Sequence, residues 1–166
     1  MKKNIPVILI VLLMWGCATD SEKQYSVPGF TLSGEFLFAG PNTLQSSQSF
    51  NMEEYTRQMG LDGSTQFSSV VPDQVKVTFN NVEEASQVES ILLQVVSDTE
   101  SMIPIATISP LPEGVSEVDL QVSPETDLLP YLSDTTTVLL ADVNLKSDLD
   151  DMVINIEMKL NFKYKP

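Results

Sequence analysis

The chain has 166 residues, 23 of them acidic, 9 basic and none histidine, for a formal charge of −14. Without histidine there is no Ser-His-Asp triad and no imidazole base or metal ligand. With one cysteine there is neither an internal disulfide nor a thiolate zinc site, and the charge repels nucleic acid and anionic head groups, which leaves no nucleic-acid role.

The chain begins with Lys2 and Lys3, continues as an apolar run from Ile5 to Trp15, and reaches Gly16 and the sole cysteine, Cys17. A polar stretch from Ala18 to Lys23 follows. A basic start, a short apolar core and a small residue form the layout of a secretory signal peptide. A spanning helix needs about 20 apolar residues, more than this run supplies. Gly16 and Cys17, behind Leu12 and Leu13, resemble the lipobox of bacterial lipoproteins, with Met14 and Trp15 where Leu and a smaller residue are more usual. The resemblance implies a signal peptide over residues 1–16, cleavage before Cys17, and acylation of the Cys17 sulfur and its new amino group. Each buried methylene adds about 0.8 kcal/mol, so two or three chains on one residue hold firmly to a bilayer. Ala18 after the cysteine implies the outer membrane by the sorting rule of Gram-negative lipoproteins. Asp20 and Glu22 resemble acidic surface-export signals, so the periplasmic face and the cell surface both stay open. A plain secretory signal beside an unrelated cysteine, or an N-terminal segment of the core, is the alternative.

Residues 17–28 read as the lipidated cysteine and a flexible tether, and residues 29–166 as one domain. From Phe30 the pattern has period two: Phe30, Leu32, Phe36 and Phe38 alternate with Thr31, Ser33 and Glu35, as on a strand with one buried face. Pro41 and Asn42 break it. The segment 47–60 predicts a helix capped by Ser49 or Asn51, stopped by Gly60, with Phe50, Tyr55 and Met59 on one side. Residues 61–73 read as loop, "QVKVTF" as a strand, "NNVEEAS" as a polar connection and "VESILLQVVS" as a central strand. "MIPIATIS" carries Pro104, which suits an edge or bulge. "SEVDLQV" turns Val118, Leu120 and Val122 inward, and "PETDLLPYLSD" predicts a helical turn that plugs one end with Leu128, Leu129 or Tyr131.

The last two strands alternate most cleanly. The first presents Leu139, Ala141, Val143 and Leu145; the second presents Ile154, Ile156, Met158, Leu160, Phe162 and Tyr164. The turn "SDLDD" between them predicts a hairpin. About seven strands separated by turn signals predict an all-β fold: an antiparallel immunoglobulin-like β-sandwich with one short helix, with a closed barrel as the alternative. The body is similar to small β-sandwich outer-membrane lipoproteins of Gram-negative bacteria, a group with no assigned chemistry to carry over.

Three acidic residues, Asp148, Asp150 and Asp151, are the candidate metal ligands, since calcium takes several oxygen donors. The spacing is not that of an EF-hand loop, and aspartate is also a good turn residue. The pairs Glu53–Glu54 and Glu83–Glu84 are adjacent and diverge, so neither is a natural acid/base dyad. There is no nucleophile elbow, S-x-x-K motif or phosphate-binding glycine loop. Trp15 falls in the leader, which leaves Tyr25, Tyr55 and Tyr131 as stacking residues for a sugar. The expected function is therefore a non-enzymatic, lipid-anchored envelope module without cofactor, joined to the membrane through its lipid and binding or scaffolding a protein partner. An accessory lipoprotein for glycan or calcium is the alternative.

Overall fold

Period-two alternation runs through most of the chain, and its apolar positions can be buried together only if the strands stack or close on themselves. The computed structural model describes residues 20–46 and 48–165. The expected signal peptide over residues 1–16 and the expected lipidation site, Cys17, lie outside the described residues. The strands are β1 (Ser21–Leu37), β2 (Gly40–Ser46), β3 (Gln66–Phe79), β4 (Val88–Val96), β5 (Ile103–Ile108), β6 (Glu117–Val122), β7 (Val138–Leu145) and β8 (Leu149–Lys165). They close into a barrel in the order β1-β2-β7-β4-β5-β6-β3-β8, with every pairing antiparallel.

The all-β expectation holds, and the immunoglobulin-like sandwich of seven strands does not. The barrel consists of two four-stranded halves, β2-β7-β4-β5 and β1-β8-β3-β6, joined at two short seams. One seam pairs Leu32 with Ser46 and Ser33 with Gln45; the other pairs Ala106 with Val122 and Thr107 with Gln121. Alternation cannot tell a sandwich from a barrel, because it reports which face is buried and not whether the edges meet. Closure removes unpaired strand edges. Gly34 sits beside the first seam, where an added Cβ would lie 2.7 Å from Leu44 Cδ2 and 3.0 Å from Leu37 Cδ2. Only a residue without a side chain lets those two leucines pack there.

The interior is a filled core. Leu32, Leu44, Leu93, Leu139, Ile154, Ile156, Leu160 and Phe162 are completely buried. On β8 these inward positions alternate with exposed Asn155, Glu157 and Lys159. A membrane-spanning barrel carries an apolar outer band, whereas the outer face of β8 is polar at these positions. Among the described residues no helix is long and apolar enough to cross a membrane.

Three further sequence expectations are corrected. Ser21–Pro28, read as tether, is the first half of β1, paired with β8 from Ser21↔Tyr164 to Val27↔Met158. Tyr25 stacks on Tyr55 with ring centroids 5.2 Å apart, and Val27 is buried, so apolar contacts hold this segment in the sheet. A bulge at Pro28 and Gly29, two residues of β1 against Glu157 alone on β8, then restores the inward phase at Phe30. The predicted β7/β8 hairpin does not form: β7 lies between β2 and β4, while β8 lies between β1 and β3. They belong to different halves, and their connection crosses from one half to the other. Finally, the predicted break at Pro41 and the predicted loop at 61–73 conceal β2 and the first half of β3. Proline is tolerated at a strand start and at bulges, and both cases occur here, at Pro41 and at the register shift after Pro72.

The helices are short. Helix α1 (Met52–Gln58) is capped by Asn51, whose side chain accepts from the Glu54 N–H, and the chain leaves it through Gly60 at φ +68°. Phe50, Tyr55 and Met59 are buried beneath it, as the spacing predicts. Helix α2 (Val82–Ser86), capped by Asn81, occupies the expected polar connection. Helix α3 (Leu129–Leu132) closes one end, with Leu128, Tyr131 and Leu132 buried.

Candidate functional site at the distal end of the barrel

β1 runs the length of the molecule, up to about 50 Å for a strand of 17 residues. It starts where Ser21 meets Tyr164, the proximal end, and finishes where Leu37 meets Leu149, the distal end. At the distal end the alternation fails. By phase Phe36 should follow Leu32 and Gly34 into the barrel. Instead Phe36 has φ +54°, and this left-handed step turns Leu37 inward while Phe36 and Phe38 project into solvent. Leu37 is buried, whereas Phe36 is 76% exposed and Phe38 68% exposed. A left-handed residue with a side chain costs about 1–2 kcal/mol, and a bulky residue there is a true outlier. The expectation that Phe36 and Phe38 face the core is thus reversed.

Hydrogen bonds hold this reversed tip. The Asn42 carboxamide accepts from the Phe38 N–H at 3.0 Å and donates to the Phe38 carbonyl at 2.6 Å and the Gly40 carbonyl at 2.9 Å. From the β7–β8 connection, Asp148 Oδ1 accepts from the Ala39 N–H at 2.8 Å. Gly40 takes φ +104°, open only to a residue without a Cβ clash. The result is a surface cleft of about 420 Å³ lined by Phe36, Leu37, Phe38, Asp148, Leu149 and Asp150.

The three candidate calcium ligands all lie at this end. Asp148 fastens the tip, Asp150 lines the cleft, and Asp151 pairs in register with Glu35. They do not converge: among the described residues no three acidic side chains are grouped as a metal ion requires. Asp150 and Asp151 are consecutive on β8, where successive side chains leave opposite faces.

The acidic pairs are also dispersed. Glu53, Glu54 and Arg57 line a second surface groove, about 700 Å³, between α1 and Phe67. Glu54 accepts from the Gln58 carboxamide at 2.8 Å along the helix, which engages it locally. Asn81 both caps α2 and donates to Glu84. Of the three tyrosines considered for a sugar, Tyr55 and Tyr131 are buried and Tyr25 is half-buried, so none of these offers an open ring. Burial pushes the Tyr55 phenol up to about 12. At the proximal end the Asp134 carboxylate is held below the usual carboxylate range by the backbone N–H and hydroxyl of Thr136 and by the Thr99 hydroxyl. These are structural perturbations, away from the tip.

No family model and no curated protein matches the chain. Among solved structures it is similar to a chain of the empty head of turnip yellow mosaic virus, at 12% identity over 96% of this chain and 89% of that one, with a TM-score of 0.29. A likeness that weak carries no argument.

Pro41 and Asn42 mark in the sequence where the first strand pattern is interrupted, although both lie within β2. The reversal at Phe36 has no such mark, because Phe36, Leu37 and Phe38 are all apolar and fit either phase.

Proposed function

We propose that the chain is a non-enzymatic lipoprotein, anchored through acylated Cys17 to the outer membrane, whose barrel is a binding or scaffold module for a protein partner in the envelope. One observation carries the reading: β1 begins at Ser21, four positions after Cys17, and leads straight to an exposed aromatic tip at the opposite end. An anchor at one end and an apolar contact surface at the other suit a module that presents a tip away from the bilayer. The filled core supports a role at the surface rather than carriage of a ligand inside. Scattered carboxylates and the absence of histidine from the sequence support a non-enzymatic role.

The test is metabolic labelling with radioactive palmitate. The wild-type chain takes up label and sediments with membranes, and Cys17→Ala does neither. An unlabelled wild-type chain, or a labelled Cys17→Ala chain, would overturn the anchor.

A further inference from the structure

Two aromatic rings stand in water at the distal end, set there by a backbone conformation that phenylalanine rarely adopts. Carboxylates lie nearby: Asp148 and Asp150 line the same cleft, and Glu35 and Asp151 pair across β1 and β8 next to Phe36, all four exposed. The nearest cation in sequence, Lys146, is engaged with the Ser86 carbonyl at 2.8 Å. We propose that this tip docks a cationic protein segment. An apolar side chain of the partner enters the cleft between Phe36, Phe38 and Leu149, and flanking lysines or arginines meet Glu35, Asp150 and Asp151.

Charge complementarity selects this occupant. A second copy of the chain would bring the same carboxylates face to face in a two-fold contact, and like charges there oppose association. A bilayer would have to receive the carboxylates along with the rings, and anionic head groups would repel them. A basic segment satisfies both parts of the surface. Aromatic anchors ringed by polar groups are also the usual form of a small, energetically concentrated interface. The inference rests on the reading of the barrel as a protein-binding module, and it names the surface and the chemistry of the partner.

The experiment uses the full lipidated chain in phosphatidylcholine nanodiscs, with empty nanodiscs as reference, in surface plasmon resonance. The probes are three short peptides: Lys-Lys-Leu-Lys-Lys, the same with Ser for Leu, and Glu-Glu-Leu-Glu-Glu. The expected result is binding of the first alone. That binding falls at least about tenfold in a Phe36→Ser/Phe38→Ser variant and in a Glu35→Gln/Asp150→Asn/Asp151→Asn variant. It is unchanged in Asp62→Asn, an exposed carboxylate of the proximal end. Equal binding of the Ser peptide, or insensitivity to both tip variants, would overturn the proposal as general attraction to an acidic surface. Co-sedimentation of a Cys17→Ala chain with phosphatidylcholine vesicles, lost in Phe36→Ser/Phe38→Ser, would overturn it in favour of a membrane. In intact cells, a photoreactive residue at position 159 that crosslinks to protein while one at 38 does not would overturn the tip alone. Crosslinking from neither position would remove the module reading as well.

Discussion

The left-handed backbone at Phe36 can be tested by comparing two substitutions at that position. In ordinary strand geometry alanine is more stable than glycine by about 0.5–1 kcal/mol, because glycine loses more freedom on folding. At φ +54° the order should reverse. A side chain in the left-handed region costs about 1–2 kcal/mol that glycine does not. Subtracting the glycine entropy leaves Phe36→Gly ahead of Phe36→Ala by roughly 0.5–1 kcal/mol. Both lose the same ring, and the ring is 76% exposed, so little packing is at stake. A phenylalanine side chain covers about 200 Å², so the buried quarter is on the order of 50 Å², or roughly 1 kcal/mol. Phe36→Ala therefore falls about 1 kcal/mol below wild type, and Phe36→Gly stays close to it. Urea denaturation of the three proteins, followed by circular dichroism, reads these differences as midpoint shifts at constant slope. An alanine variant at least as stable as the glycine variant would refute the reversed backbone, and with it the argument that the tip is held exposed against a local cost.

Other consequences are as direct. Phe162 is fully buried and packs edge-on against Phe67, with centroids 5.6 Å apart, so Phe162→Ala should lose about 3–5 kcal/mol in the same assay; a loss below 1 kcal/mol would contradict the filled core. Asn51→Ala removes the α1 cap and should lose about 1 kcal/mol, readable as a lowered melting temperature. The Tyr55 phenol is raised from 10.0 to about 12, so its contribution to stability is full below pH 10 and disappears as pH climbs from 10 through 12; Tyr55→Phe should lack the last phase of the tyrosinate absorbance titration. Saturating calcium at 100 times its dissociation constant would add about 2.7 kcal/mol to a protein with a formed site, whereas here millimolar calcium should leave the melting temperature unmoved, since Asp148, Asp150 and Asp151 do not converge.

Much of the barrel could be read from residues alone. The inward sets on β7 and β8, the capped α1 over Phe50, Tyr55 and Met59, and the Leu128–Tyr131 plug all follow from periodicity and turn chemistry. What could not be read was pairing between distant strands. Two adjacent, strongly alternating strands suggest a hairpin, yet β7 pairs with β2 and β4 while β8 pairs with β1 and β3, and alternation within a strand does not specify its neighbours. Polarity near the amino end hid the first half of β1, because Ser21–Gln24 face water and only Tyr25 and Val27 report the core. The candidate site was half visible. Its carboxylates were noticed as a calcium cluster, which alternation along β8 disperses. Its aromatic part was assigned to the interior, since one left-handed residue inverts the phase of everything after it and leaves no mark on composition.

The arrangement of β1 also bears on mechanics. From Ser21↔Tyr164 to Leu37↔Leu149 the strand is bonded to β8, with one interruption at the Pro28–Gly29 bulge. A pull between the two extremities of the molecule acts along this strand, parallel to its axis. Both points of load then sit on β1, so its covalent backbone carries the force from one extremity to the other and the bonds to β8 are not peeled one after another. A domain tugged at its amino end against a hold at its far tip would therefore pass the tension through one strand and leave the rest of the wall unloaded.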